Sequence, residues 1–315
     1  MRNETRKLTE GAMIIAIVGV FVLIDRQIGG LLSPYILYLY PLPMLLYSAK
    51  YGFKTALPVL AGMLFILFIF SMTPSAALYF SGMVLIGLVN GSLVHRGASN
   101  KTVLISTAAL GAFIEVGVML LMMGLFGYDI NAEVQEVQAL TSSITSQLGQ
   151  APEYMQTNSF FMNMFIISTV LTGVLEGFIS HYLGRILSKR FKIKVPASEP
   201  IQMHFAPKIM GYVAIAGMIA YYASVFKPFA DTFLQTSVQC IGFACIIYLV
   251  AYGCIGIYVY FLTMPVKLSR FVIWLIFMLA IMMIMPITAM LGFLYITTDW
   301  HKNLFQGDKG NATES

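Results

Sequence analysis

The sequence predicts an all-α protein: a polytopic transmembrane helical bundle of about nine spans, with its N-terminus in the cytoplasm. Three observations carry that expectation. The first is composition, because 58% of the 315 residues are hydrophobic and only 10% are charged. Mean hydropathy is +0.81. The second is arrangement. Apolar runs close to the ~20 residues needed to cross ~30 Å of hydrocarbon follow one another, separated by short charged loops. The third is charge. With the N-terminus inside, only Arg26, Lys227, Lys302 and Lys309 fall outside, which leaves 15 of the 19 Lys and Arg on one side. That bias is the positive-inside rule. It accounts for the net charge of +5 with the lipid bilayer as partner and no nucleic acid.

In chain order the expected spans are 8–25, 31–49, 54–71, 75–94, 102–126, 159–187, 208–226, 236–263 and 270–296. The first follows Arg2, Arg6 and Lys7 but opens on Glu10, and Asp25-Arg26-Gln27 after it offers no small-residue cleavage site. It reads as a retained helix rather than a removed signal peptide. The second is interrupted by Pro41 and Pro43, each lacking a backbone donor. Tyr35, Tyr38, Tyr40, Tyr47 and Tyr51 crowd it, and Trp274 and Trp300 flank the ninth; such rings favour the membrane interface. In the fourth, Gly87 and Gly91 around Asn90 make a GxxxG pair that signals close helix packing. All three cysteines, Cys240, Cys245 and Cys254, lie in the eighth span. They read as small apolar residues rather than disulfide partners or metal ligands. Pro286 is expected to kink the ninth.

Two polar segments organise the chain. Segment 128–158 carries Asp129, Glu133, Glu136 and Glu153 and no Lys or Arg. Ile130, Val134, Val137, Ile144 and Leu148 recur near helical spacing, so an amphipathic helix is expected on the outer face. Its role is either a lid or a passive surface helix. Segment 189–207 starts with Lys189-Arg190-Phe191-Lys192-Ile193-Lys194 and then carries Pro196, Pro200 and Pro207. It reads as a cytoplasmic linker over 191–207, dividing a six-helix unit (1–190) from a three-helix unit (208–297) and a polar tail (298–315).

Chemistry concentrates in spans five and six. Glu115 and Glu176 lie roughly 20 Å and 16 Å from the inner ends of their helices at 1.5 Å per residue, so similar depth is expected. Intramembrane acids are costly and face a bundle interior or a watery cavity. Ser168, Thr172, Glu176, Ser180 and Gly184 are each four apart and are expected to form one packing stripe. Glu115, Glu176, Thr172 and Ser180 are therefore the candidate ligand-binding residues, against a reading in which the acids only glue the bundle. His181 and Arg185, one turn apart, read as structural. Ala12 and Ala16 form a small-residue face suited to a neighbouring helix. The sequence holds no phosphate loop with Lys-Ser or Lys-Thr, no His-Glu-x-x-His and no Gly-x-Ser-x-Gly. No enzyme activity, cofactor or metal site is expected.

Three stretches carry a resemblance. Leu8-Thr9-Glu10-Gly11-Ala12-Met13-Ile14-Ile15-Ala16-Ile17 is a short basic N-terminus leading into an Ala-x-x-x-Ala helix. Tyr51-Gly52-Phe53-Lys54-Thr55-Ala56 is a Gly-containing turn before the third span. Six helices fill about 190 residues. On these features the first unit resembles the substrate-binding S-components of energy-coupling-factor (ECF) vitamin transporters. The whole chain resembles the YybS-like family of uncharacterised bacterial membrane proteins, which adds helices after such a unit. The resemblance implies a multi-pass protein of the bacterial cytoplasmic membrane. It also implies a small-molecule solute held under outer loops (26–33, 71–75 and 128–158 here). Ala12 and Ala16 would contact a transmembrane coupling subunit powered by separate ATPases. The long segment 128–158, the three extra helices and the depth of the two acids depart from that pattern. The function expected is binding and translocation of a small polar solute. The alternative is a non-transporting scaffold that docks another membrane or envelope protein.

Overall fold

The computed structural model of the protein describes residues 2–148, 158–197, 206–227, 229, 231–263 and 285–298. Every regular element among them is helical. The chain divides into two compact units, Met1–Thr141 with Met164–Ser198, and Ser142–Asn163 with Glu199–Ser315. The boundary near 198 falls inside the expected linker, while 142–163 groups with the second unit.

The elements are α1 (Arg2–Gln27), α2 (Ser33–Ile36), a 3-10 turn (Leu37–Leu39), α3 (Pro41–Tyr51), α4 (Phe53–Phe70), α5 (Pro74–His95) and α6 (Asn100–Phe126). They continue with α7 (Ile130–Leu148), α8 (Asn158–Arg190), α9 (Lys208–Phe226), α10 (Thr232–Thr263) and α11 (Met285–Thr297). Among the described residues seven helices are long and apolar enough to cross a membrane: α1, α4, α5, α6, α8, α9 and α10. The expected second span is not one helix but α2, the 3-10 turn and α3 in series. Pro41 opens α3 at its first position, where its missing N–H has no intrahelical partner to lose. Of the ninth span, α11 is described, while 264–284 lie outside the described residues. So do Trp300 and the tail from 299.

In the first unit α5 is the central helix. Its apolar window is 72% buried, against 17% for α6 and 28% for α4, so the other two give more surface to lipid. A Cβ on Gly87 would overlap the Pro41 backbone, and one on Gly91 would overlap Leu45 and Ser48. The GxxxG pair is thus the seam on which α3 rides. Tyr40 stacks on Phe80 at 4.3 Å between centroids, over a core of Met44, Met63, Leu67 and Ile86. Gly52 joins α3 to α4 at φ +81°, with His95 3.0 Å from where a Cβ would sit. Both the left-handed backbone and the close ring favour glycine there. Thr73 and Ser99 cap α5 and α6 by accepting from the backbone N–H of Ala76 and Thr102, as helix N-termini require.

The linker is less free than expected at its start. Ile193 and Val195 pack on Ala49, Val94 and Val103; residues 198–205 lie outside the described residues. The amphipathic segment forms α7 as expected, but among its described side chains only Ile130 and Val134 are buried, while Val137 and Leu140 are exposed. The side chains of Ile144 and Leu148, and residues 149–157, lie outside the described residues.

In the second unit α10 packs on α9 and α11. A Cβ on Gly253 or Gly292 would overlap the facing backbone of α11 or α10. Ala214, Met218, Ile246, Leu249 and Ala289 form the core. The three cysteines are free and half-buried, and Cys245 lies against Gly217.

Candidate functional site

The site begins with missing side chains. A Cβ on Gly111 of α6 would overlap the Gly173 carbonyl of α8, and one on Gly177 would overlap the Thr107 carbonyl. The two backbones therefore touch. Thr107 turns its hydroxyl back to the Val103 carbonyl at 2.9 Å, which removes the polar atom from the seam. With Gly111 opposite Gly173 and Thr107 opposite Gly177, the helices are antiparallel and Glu176 is level with Ala108. At 1.5 Å per residue, Glu115 then stands about 10 Å away along the axis. This register replaces the expected matching depth.

The carboxyls approach each other nevertheless, close enough to interact. Helical side chains lean toward their own N-terminus. In an antiparallel pair these two acids consequently lean toward each other, which closes the offset. Glu115 is 6% exposed and Glu176 2%, so neither faces hydrocarbon. Two carboxyls this close bond to each other when one proton is held between them, with one acid donating and the other accepting. Such a pair can hold a proton, release it, or bond to another polar group instead.

Beside the pair lies a chamber of about 160 Å³. Ser75 and Tyr79 of α5, Met119 and Met122 of α6, Tyr128, and Phe165 and Thr169 of α8 line it. The acids do not line it themselves. Tyr79 is the connecting residue: it lines the chamber, and its phenol is within electrostatic reach of Glu115, Glu176 and Glu133. Tyr128 lines the chamber just ahead of α7.

Thr172 and Ser180 part company. Ser180 is buried, with no hydrogen-bond partner for its hydroxyl among the described residues. Thr172 and Ser168 are exposed. A stripe of every fourth residue turns about 40° per step on a 3.6-residue helix, so five such positions cannot all face one neighbour. The buried side of α8 follows Gly173, Gly177, Ser180, Gly184 and Ser188 instead. His181 and Arg185 share one partner, Asn100. Asn100 at the start of α6 presents its Oδ1 to His181 Nε2 at 3.1 Å and accepts from Arg185, which also donates to the Pro196 carbonyl. Ala12 and Ala16 are exposed on α1, whereas Gly19 meets Ile66 of α4.

Two buried polar clusters escaped sequence reasoning. Asp25 is 4% exposed and accepts from the Leu32 N–H and the Ser33 hydroxyl. It closes the turn that follows α1. Its signal was Gly29, Gly30 and Ser33 just beyond it. In the second unit Asn163 donates to Gln239 at 2.6 Å and accepts from Thr236 at 2.8 Å. Single amides inside long apolar runs gave no cue to this pairing.

Fold and site together define a class, the multi-pass bacterial membrane protein, with its outer helix faces in contact with lipid. The chain belongs to the family described as predicted membrane protein (DUF2232), whose model matches residues 13–294. It is similar to the uncharacterized protein YybS of Bacillus subtilis (strain 168), with 23% identity over 231 residues, 70% of this chain and 74% of that one. No solved structure matches.

Proposed function

We propose that this protein binds and translocates a small polar solute, in the manner of an S-component, and catalyses no reaction. The observation that carries the reading is the buried Glu115–Glu176 pair beside the Tyr79 chamber. A packing contact between α6 and α8 needs only the glycine seam. Two acids enclosed beside each other cost more than that seam requires. The chamber, about 160 Å³, lies below the ~300–1,000 Å³ of drug-sized pockets, so the solute is small.

In this mechanism Tyr79 receives the solute and hands its polar group to the acids, which exchange their shared hydrogen bond for bonds to it. Segment 128–158 is the lid of this reading, because Tyr128 at its start lines the chamber. Ala12 and Ala16 offer the exposed face on which a transmembrane coupling subunit, driven by separate ATPases, docks.

The test is mass spectrometry of small molecules released from protein purified in mild detergent, comparing wild type with Glu176→Gln and Tyr79→Phe. A polar molecule present in the wild type and depleted at least tenfold in Glu176→Gln supports the reading. Equal amounts in all three proteins would remove the acid pair from the mechanism. A stoichiometric partner protein with no small molecule would instead favour a scaffold.

A further inference from the structure

A cleft of about 1170 Å³ opens between α1, α3 and the C-terminal end of α8, and it shares no lining residue with the Tyr79 chamber. Its two ends differ in chemistry. Along α1 its wall is Met13, Ile14, Ile17 and Phe21, and across from them stand Leu42 and Leu46. At the opposite end it is closed by Glu10, Lys50, Arg190 and Lys192. From Glu10 to Phe21 the wall runs about 16 Å at 1.5 Å per residue. That matches one leaflet of a hydrocarbon core about 30 Å thick.

The charged end is not balanced. Glu10 is already committed: it accepts from Arg6 at 2.9 Å, from Lys50 at 2.6 Å and from Tyr51 at 2.8 Å. Arg190 and Lys192 have no ion pair among the described residues. Lys192 also holds a left-handed backbone, φ +57°. It follows the last turn of α8, where Ile193 N–H bonds back to Ser188 at 2.9 Å. Glycine is the usual residue at such a helix stop. A lysine there is an outlier that sets a cation at the mouth of the cleft.

The three faces of α1 are also separate. Gly11, Val18 and Val22 are buried on one face, with Gly11 against Val59 of α4; Ala12 and Ala16 are exposed, and the cleft-lining residues make a third face about 110° from the first. The cleft is therefore not the docking face assigned to Ala12 and Ala16.

We propose that this cleft is a binding site for one anionic phospholipid. Its phosphate sits between Arg190 and Lys192, and an acyl chain lies along Met13, Ile17 and Phe21. Long apolar walls suit the chain. The surplus of positive charge at the interface selects an anionic headgroup over a zwitterionic one, since juxtamembrane basic residues attract anionic lipid. The positive-inside bias of the chain puts this mouth at the cytoplasmic leaflet. This inference does not depend on the transport reading.

The test is native mass spectrometry of the full chain released from vesicles of equimolar phosphatidylglycerol and phosphatidylcholine. The wild type should retain one phosphatidylglycerol, saturably, with about tenfold preference over phosphatidylcholine. Arg190→Gln with Lys192→Gln should bring that preference close to unity without changing elution or unfolding temperature. Ile17→Trp, which fills the trough and leaves the cations, should lose the bound lipid of either kind. Equal retention of both lipids by the wild type, or an unchanged preference in the double variant, overturns the proposal. So does a second copy of the chain, or another protein, seated in place of lipid.

Discussion

Glu115 and Glu176 interact with each other, and that interaction sets what single substitutions do. Glu176→Leu leaves the Glu115 carboxyl buried and unpaired, a loss of about 1–3 kcal/mol. Glu176→Gln keeps a donor and an acceptor in place and should cost less than about 1 kcal/mol. Replacing both acids by Leu should cost less than the sum of the single changes, because neither orphan then exists. Unfolding titrations with dodecyl sulfate in mixed micelles measure all three; strictly additive values would show that the carboxyls do not interact. The two acids were legible in the sequence, because a charge in the middle of an apolar run has few explanations. Their offset was not. It depends on which residues of α6 and α8 touch, and that follows from Gly111 and Gly173 packing without side chains. Asp25 was hidden for a different reason. It ends an apolar run beside Arg26, where a solvated charge is the ordinary expectation.

The α6–α8 seam is the element on which the site stands. Gly173→Ala would push a methyl into the Gly111 carbonyl and should destabilise by about 1–3 kcal/mol, as overpacking does. Gly117, on the same helix as Gly111, has nothing within 4 Å of a Cβ. Gly117→Ala should be neutral or stabilising by up to about 1 kcal/mol through helix propensity. The same micelle titration compares them, and equal effects would mean that the seam does not carry the packing. Helix identity was easy to read in the long runs, since apolar length alone decides it. The second span was harder. Pro41 and Pro43 mark a disturbance, but proline both breaks a helix and starts one, and only the Gly87–Pro41 contact selects the start. In α7 the apolar spacing found the helix. It did not separate the buried Val134 from the exposed Val137, because spacing does not say how much of a face is covered.

At the scale of the whole molecule, orientation is the property that charge alone foretells. The positive-inside bias predicts Glu136 of α7 outside and Lys189 of α8 inside. In a chain freed of its three cysteines, a membrane-impermeant maleimide added to intact cells should label Glu136→Cys and spare Lys189→Cys until the cells are opened. The reverse pattern would invert the topology. Such a global feature is predicted from composition because it sums many residues, whereas the chamber beside Tyr79 arises from residues of three helices and the turn before α7 and leaves no local pattern. The central claim is that the enclosed acid pair serves a solute rather than the packing of α6 on α8. The most direct measurement is the content of small molecules in purified wild type and in Glu115→Gln with Glu176→Gln, read alongside the unfolding titration of both. The account predicts a polar molecule lost from the double variant while its stability stays within about 1 kcal/mol of wild type. A double variant that keeps the same molecule at the same level would contradict it.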